Sequence, residues 1–469
     1  MKPVKTSDMT PEEFREWGRR FVDWVADYLE KPEQVSVLSQ VAPGDIRKQL
    51  PASPPLQPES LESVLRDLDN VIVPGTTHWN HPAFFAYFPN TGSGPGILGE
   101  MVSAALNVNG MLWRTSPAAT ELEEHVTDWL RQMLGLPSSF KGFVYDTASI
   151  STFHALAAAR EAITERSVRE DGISGPASPR LRMYASEQAH SSIEKSAMAL
   201  GVGRRGLSKI KTDREFRMDA AALEAAIQRD LSEGWRPFCV TATVGTTSTT
   251  SIDPVADISR VCAKYGLWLH VDAAYAGAAG IVPEMRYVLD GCDSADSFVT
   301  NPHKWLLTPM DLSVLFCRKP EMLKRAFGLT PDYLKTSEGE AVTNYMDYSL
   351  QLGRRFRALK FWMVVRYFGV EGLQAGIREH IRLGRLFASL VESDPRFEVV
   401  APVPFSTVCF RLKAGDAANQ QLIDRVNASG KIFLSHTSLN GKLTIRFAVG
   451  NLRSTEAHVR MAWDLVRGL

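Results

Sequence analysis

The stretch Trp268-Leu-His-Val-Asp272-Ala-Ala-Tyr-Ala-Gly277 places an aspartate after an apolar run and before several small residues. An apolar run of this length is typical of a strand that is buried on both faces of a parallel sheet. Ligand sites in such sheets lie at the carboxyl ends of the strands, which is where Asp272 stands. A carboxylate there can hold a proton on a heterocyclic nitrogen, although an isolated aspartate in this position more often caps a loop.

A second stretch of this kind, Asp296-Ser-Phe-Val-Thr-Asn301-Pro-His303-Lys304-Trp305, follows one helix later. Most lysines are solvated surface residues, but the amine of a partly desolvated lysine can form a Schiff base with an aldehyde. If Asp272 and Lys304 follow successive strands, they meet at one edge of the sheet. An aspartate for a pyridine nitrogen and a lysine for an aldehyde are the polar pair that pyridoxal 5'-phosphate (PLP) requires, so the two stretches together predict a PLP site.

Helices and strands alternate around these two stretches. We predict strands at 143–145, 182–185, 238–244, 267–271, 297–300 and 312–316. The intervening predicted helices include 121–134, 151–165, 218–231 and 255–264. Repeated alternation of this kind indicates an α/β fold with a mostly parallel sheet that helices cover on both faces.

The two ends of the chain differ from this central part. Predicted strands at 397–400, 408–412, 432–435 and 443–448 and helices at 418–427 and 455–466 indicate a small α+β domain. At the other end, Thr10-Pro-Glu-Glu13 predicts a helix start with a capping box. The helix carries an aromatic stripe of Phe14, Trp17, Phe21, Trp24 and Tyr28, which would pack either on the chain's own core or on a partner subunit. We therefore divide the chain into an N-terminal helical segment (1–85), a large domain (86–365) and a small C-terminal domain (366–469).

Two further segments could complete a PLP site. Thr147-Ala148-Ser149 precedes a predicted helix, and hydroxyl and free N–H groups at a helix start suit a phosphate, although simple N-capping by Ser149 or Ser151 explains them equally well. His190 follows a predicted strand and could stack on the ring and move protons. A lone histidine is more often structural.

The bulk composition narrows the class of protein. Lysine plus arginine equals aspartate plus glutamate, at 53 each in 469 residues, which argues against nucleic-acid binding and gives no polybasic membrane signal. No apolar run is long enough to span a bilayer, and the N-terminus lacks the apolar stretch of a signal peptide. The five scattered cysteines indicate reduced thiols rather than disulfides or a metal site. We expect a soluble cytoplasmic protein without a metal.

One dinucleotide-binding motif is rejected. Gly94-Pro-Gly96-Ile-Leu-Gly99 fits the spacing GxGxxG, but no predicted strand follows it as a Rossmann unit requires.

The whole chain resembles one known family. The segments HPAFFAYFP (81–89), TSPAATELE (115–123), EQAHSS (187–192), HVDAAYAG (270–277), DSFVTNPHKWLL (296–307) and LGRRFRALKFW (352–362) are similar to those of the aromatic L-amino acid decarboxylases, the group II PLP enzymes of fold type I. The resemblance implies a PLP-dependent transferase-like fold with a seven-stranded sheet, and a homodimer with its active site at the interface. It also implies decarboxylation of an aromatic L-amino acid of the phenylalanine, tyrosine, dihydroxyphenylalanine or tryptophan type.

The resemblance implies a role for each matching residue. Lys304 would bond to the cofactor aldehyde, Asp272 would pair with the pyridine nitrogen, and His190 and Ala274 would lie on the two faces of the ring. The phosphate would be held by Thr147, Ala148, Ser149 and Asn301. The substrate would be contacted by Thr246, His303 and Gly353, which also border the cofactor, and by an aromatic wall of Trp79, Tyr87, Phe88 and Pro89.

Tyr333 bears on the type of reaction. It lies in the polar, glycine-containing segment 327–340, which reads either as a mobile lid or as an ordinary surface loop. The resemblance implies that Tyr333 returns a proton to the substrate carbon, whereas relatives that make aldehydes tend to have phenylalanine there or asparagine at position 190. An aldehyde synthase is nevertheless the first alternative, followed by an aminotransferase and a non-catalytic protein of the same fold. Gly353 leaves room for a larger ring, where histidine decarboxylases tend to have serine.

Two residues depart from the family pattern. Asp146 stands before Thr147 where glycine is usual, and Ile150 stands where glutamate is usual. These departures fall on the segment expected to bind phosphate.

Overall fold

A computed structural model describes residues 7–90, 92–163, 168, 172–173, 178–334 and 337–468. The side chains of Tyr333 and Glu340 also lie outside the described part.

Seven strands in the described part of the chain form one large sheet, in the order β1-β7-β6-β5-β4-β2-β3. Strand β7 runs antiparallel to both of its neighbours, and the other adjacent pairs are parallel. The predicted fold class, an α/β protein with a mostly parallel seven-stranded sheet, is confirmed. The strands are β1 (Lys141–Tyr145), β2 (Leu181–Ser186), β3 (Leu207–Ile210), β4 (Arg236–Thr243), β5 (Trp268–Asp272), β6 (Ser297–Thr300) and β7 (Ser313–Cys317).

Helices cover both faces of this sheet. Successive side chains of a strand point to opposite faces, and along β7 Val314 and Phe316 join one buried cluster while Leu315 and Cys317 join another. The helices are α1 (Pro11–Glu30), α2 (Asp45–Gln49), α3 (Leu61–Asp67), α4 (Gly94–Leu106), α5 (Pro117–Leu134), α6 (Ala148–Ile163), α7 (Ser191–Ala199), α8 (Ala220–Ser232), α9 (Val255–Tyr265), α10 (Pro302–Trp305), α11 (Pro320–Phe327), α12 (Ala358–Glu392), α13 (Asp416–Ala428) and α14 (Glu456–Arg467).

A second, antiparallel sheet follows near the C-terminus. Its order is β10-β11-β9-β8, with β8 (Phe397–Val399), β9 (Thr407–Leu412), β10 (Ser435–Leu439) and β11 (Lys442–Ala448). Asn440 and Gly441 join β10 to β11, and both residues have a positive φ, as a two-residue hairpin of this type requires.

The predicted strand at 432–435 was placed too early. Residues 432–434 are apolar because they lie against the segment 83–86, where Phe84 and Phe433 form an isolated parallel bridge.

Two glycines of the rejected dinucleotide motif, Gly96 and Gly99, serve close packing. They lie in α4, where a Cβ atom on Gly99 would be 2.6 Å from Lys360 Cα in α12, and one on Gly96 would be 2.3 Å from Pro309 Cδ. The absence of side chains lets these elements approach closely.

Helix α1 begins as predicted, with a capping box between Thr10 and Glu13. None of its residues is buried, and the ring of Phe14 is 61% exposed. Its aromatic stripe contacts the rest of the chain through the Trp24 indole, which donates to Asp69 at 2.7 Å, and through Tyr28, which bonds to His78 at 2.7 Å. No helix among the described residues has the length and apolarity needed to cross a bilayer.

Candidate active site

A cavity of about 330 Å3 opens at the carboxyl ends of β4, β5 and β6. Parallel strands bring Thr243, Asp272 and Asn301 to this edge. Most of the residues singled out from the sequence line it together: Trp79, Tyr87, Phe88, Thr147, Ala148, Ser149, His190, Asp272, Ala274, Asn301, His303 and Lys304.

Lys304 and Asp272 face the same cavity. Lys304 follows β6 in the single-turn helix α10, and Asp272 ends β5, where its carboxylate accepts the N–H of Ala274 at 3.1 Å. Burial lowers the pKa of the Lys304 amine, because the charged form loses its hydration, and the nearby Asp272 carboxylate partly opposes this effect. A lowered pKa increases the neutral, nucleophilic fraction of the amine.

Two histidines beside this pair are held in defined orientations. His190 Nδ1 accepts the N–H of Ser192 at 3.1 Å, and His303 Nδ1 accepts the N–H of Leu312 at 2.9 Å. Each neutral ring therefore carries its proton on Nε2. Burial lowers the pKa of both histidines, that of His303 to about 4. Both imidazoles are neutral near pH 7 and can donate one hydrogen bond from Nε2.

The segment Thr147-Ala148-Ser149 forms the start of α6, which begins earlier than predicted. Ser151 does not cap this helix, because its hydroxyl bonds to Ser313 of β7 at 2.7 Å. Asp146 Oδ1 accepts both the N–H of Thr147, at 2.5 Å, and the Thr147 hydroxyl, at 3.1 Å. The helix start therefore faces the cavity with a carboxylate beside it.

Three residues expected at the site do not line this cavity. Thr246 is buried in a tight loop, where its hydroxyl bonds to Thr249 at 2.9 Å and accepts the N–H of Ser251 at 3.0 Å, while its neighbours Gly245 and Thr247 line the cavity. Pro89 is buried against Gly450. Gly353 lies exposed on the surface. Of Tyr333, only the backbone is described, in the helical turn Asp332–Leu334.

Arg446 also lines the cavity and was not singled out from the sequence. It comes from β11 of the C-terminal sheet, where its guanidinium donates to the carbonyl of Ser248 at 2.9 Å and to the hydroxyl of Ser435 at 3.3 Å. Among the described residues, its Nη2 has no hydrogen-bond partner. Burial lowers its pKa. The only sequence signal was an arginine between Ile445 and Phe447 in a strand.

Phe88 lies near both cations of the site. Its ring centroid is 5.3 Å from Lys304 Nζ and 5.2 Å from the Arg446 guanidinium carbon. The ring also stacks on Tyr275, with centroids 4.0 Å apart, and Tyr275 stacks on Trp305 at 4.6 Å. This aromatic stack fixes one wall of the cavity next to the lysine.

Comparison with known proteins assigns the family. Residues 43–413 match the pyridoxal-dependent decarboxylase conserved domain. The chain belongs to this family. The aromatic-L-amino-acid decarboxylase of Sus scrofa is 44% identical, over 98% of this chain and 97% of the relative. The phenylacetaldehyde synthase of Arabidopsis thaliana is 43% identical, over 98% and 96%. The crystal structure of Oryza sativa TDC with PLP and tryptamine superimposes with a TM-score of 0.95 at 39% identity, over 99% of both chains.

The protein is therefore a PLP-dependent carboxy-lyase, and the residues present fit this cofactor. A desolvated amine and a carboxylate face one cavity beside a helix start. Two buried donors at the cavity, the Thr243 hydroxyl and Arg446 Nη2, have no partner among the described residues. Unpaired buried donors of this kind indicate a polar ligand, because leaving them unsatisfied costs free energy.

Proposed function

We propose that this protein decarboxylates an aromatic L-amino acid to the corresponding arylalkylamine and carbon dioxide. The observation that carries the proposal is that Lys304 and Asp272 face one cavity with an aromatic wall. The names of its relatives support the choice of substrate, since the Sus scrofa relative is an aromatic-L-amino-acid decarboxylase and the Oryza sativa structure holds tryptamine.

Different residues around the cavity would hold different parts of the cofactor. Asp272 would bond to the ring nitrogen, His190 and Ala274 would enclose the ring, and Lys304 would bind the aldehyde end. The phosphate would be held by Thr147, Ala148, Ser149 and Asn301. When bound, PLP accepts the electrons that remain on the substrate Cα after carbon dioxide leaves.

The substrate is positioned by its two ends. Arg446 has a buried donor without a described partner and attracts the α-carboxylate. Trp79, Tyr87 and Phe88 accept the aromatic ring, and Gly353, which lies on the surface of its own chain, would leave room for a larger ring at the interface with a second subunit. His303 would contact substrate through Nε2. Tyr333 would supply the proton that replaces the carboxyl group on Cα.

The active form is a homodimer in this proposal. Trp79 and Tyr87 are 38% and 48% exposed although they line the cavity, and Gly353 lies on the surface of the same chain. A second subunit would cover the aromatic stripe of α1. It would also complete the aromatic wall of the cavity with surface residues such as its own Gly353. Exposed apolar area of this kind is typical of an interface.

A cytoplasmic location is part of the proposal. All five cysteines are buried and unpaired, as is typical of proteins that stay in a reducing compartment. Cell fractionation with an antibody to the protein would test the location.

Replacement of Lys304 tests the function. We expect Lys304→Ala to lower amine formation to background with phenylalanine, tyrosine, dihydroxyphenylalanine and tryptophan, measured by mass spectrometry. Borohydride reduction of the parent protein with PLP should label the peptide that contains Lys304. Lys319→Ala is the matched control, because Lys319 pairs with Asp296 on the surface at 2.8 Å. Robust amine formation by Lys304→Ala would contradict the proposal.

An aldehyde synthase is the second candidate, because the Arabidopsis thaliana relative carries that name. Peroxide, ammonia and aldehyde would be measured beside the amine for the parent protein and for Tyr333→Phe. We expect amine without stoichiometric peroxide from the parent, and less amine with more aldehyde from the variant. Stoichiometric peroxide from the parent would favour the second candidate.

A further inference from the structure

The carboxylate of Asp146 occupies both hydrogen-bond donors of Thr147, the first residue of the segment expected to bind phosphate. Oδ1 accepts the backbone N–H of Thr147 at 2.5 Å and the Thr147 hydroxyl at 3.1 Å. Both groups are donors that a phosphate at the start of α6 would use. A phosphate that takes these donors therefore has to displace the carboxylate or share them with it.

The negative charge of Asp146 also disfavours binding of a phosphate at the start of α6. The N-terminus of α6 carries a partial positive charge that stabilises one nearby anion, and Asp146 already supplies an anion there. Among the described residues, no lysine or arginine forms an ion pair with Asp146. A phosphate dianion beside a carboxylate is therefore repelled without a cation between them.

The neighbouring side chains of α6 do not offset this repulsion. Ser151 is bonded to Ser313, and Thr152 lies 3.4 Å from the ring of His270, so both hydroxyls point to the sheet. Ile150 adds no polar group. Burial lowers the pKa of His154, the histidine that is electrostatically coupled to Asp146, to about 4, so that its ring is neutral near pH 7.

We propose that Asp146 is a built-in competitor of the cofactor phosphate and lowers the affinity of the protein for PLP. The proposal rests on the proposed role of Thr147, Ala148 and Ser149 in holding the phosphate. Asp146 stabilises the start of α6 in exchange for weaker cofactor binding, so the protein exchanges PLP with the medium more readily than it would with an uncharged residue at this position.

Cofactor affinity measured with two ligands tests this inference. PLP and pyridoxal, which lacks the phosphate, are titrated into cofactor-free protein, and binding is followed by visible absorbance and tryptophan fluorescence. The variants are Asp146→Asn, which removes the charge but keeps an acceptor for Thr147, and Asp146→Ala, which removes both. Asp257→Asn, an exposed carboxylate on α9, is the matched control.

We expect the substitutions at position 146 to change the Kd for PLP, which carries the phosphate, and not the Kd for pyridoxal. The Kd for PLP falls about tenfold in Asp146→Asn, the size of effect expected from one like charge nearby, and further in Asp146→Ala. The Kd for pyridoxal changes less than about twofold in either variant, and Asp257→Asn matches the parent for both ligands.

Three results would overturn the inference. The first is an unchanged Kd for PLP in Asp146→Asn, and the second is a higher Kd for PLP in that variant. The third is a gain in affinity for pyridoxal that equals the gain for PLP. Asp146→Asn is nearly isosteric and keeps the cap on Thr147, so the test does not depend on the folding of Asp146→Ala. If PLP gives no visible band with any form, including the parent, the proposed function fails instead.

Discussion

At the scale of single residues, chemistry at this site comes from groups removed from water. Burial lowers the pKa of Lys304 and of Arg446, and both cations lie about 5 Å from the Phe88 ring. The two differ in what surrounds them. Lys304 has Asp272 on the same cavity, whereas Arg446 bonds to a carbonyl and a hydroxyl and lies beside the Cys409 thiol, with no carboxylate partner among the described residues. A buried guanidinium without a carboxylate partner is suited to bind the carboxylate of a ligand.

Replacing Arg446 should therefore weaken binding of the amino acid and not of the amine. We expect Arg446→Met to raise KM for the preferred amino acid about 10- to 100-fold, the value of a charge-assisted hydrogen bond. The inhibition constant of the product amine, which has no carboxylate, should stay within about twofold in the same assay. Thermal melting checks that the buried variant folds. An equal loss of affinity for both compounds would show that Arg446 acts through the structure alone.

At the scale of helices and strands, the sequence predicts the positions of those elements that a local pattern of apolar residues marks. Strands β4 to β7 were placed to within two residues because helices cover both faces, so their sequences are nearly continuous apolar runs. Strand β3 was missed, since an edge strand with three partly exposed or exposed residues leaves no such run. Lys304, Asp272 and His190 were found because each follows a strand of the same sheet. Arg446 was not, because its strand belongs to the other sheet and only the tertiary fold brings it to the cavity.

The contact between α4 and α12 can be tested with two glycines. Gly99→Ala should destabilise the protein by about 1–3 kcal/mol, because the new methyl group would clash with the backbone of Lys360. Gly376→Ala, in the interior of α12, meets no atom within 4 Å and should stabilise it by about 0.5–1 kcal/mol. Urea unfolding followed by tryptophan fluorescence, at one protein concentration, measures both. A Gly99→Ala variant as stable as the parent would show that the two helices can separate without cost.

At the scale of the whole molecule, α12 connects the two sheets. It packs on α4 near its start and on the C-terminal sheet near its end, and Gly369, with φ of 64°, interrupts it. The predicted boundary between 365 and 366 falls inside this helix, and the division into 1–85, 86–365 and 366–469 stays a prediction. No residue of helix α1 is buried, and its aromatic stripe is exposed at Phe14 and partly exposed at Trp17, Phe21, Trp24 and Tyr28. In the proposed homodimer, this stripe is the surface that the second subunit would bury.

If the proposed homodimer forms through this stripe, charges placed on it should separate the two subunits. We expect Phe14→Asp combined with Phe21→Asp to shift the mass in sedimentation velocity from two chains to one at micromolar concentration, because the apolar interface would gain unpaired charges. The control is Tyr367→Asp, an equally large and 72% exposed ring on α12, which should leave the mass unchanged. A double variant that stays a dimer would place the interface elsewhere.

The cavity joins parts of the chain that are made at very different times. The amine of Lys304 is synthesised with the large sheet, but the guanidinium that lines the same cavity belongs to β11, which is made later. A nascent chain that has emerged only as far as α12 holds one half of the pocket. Both ends of an amino acid can therefore be bound only after β11 has been synthesised and has packed beside the cavity.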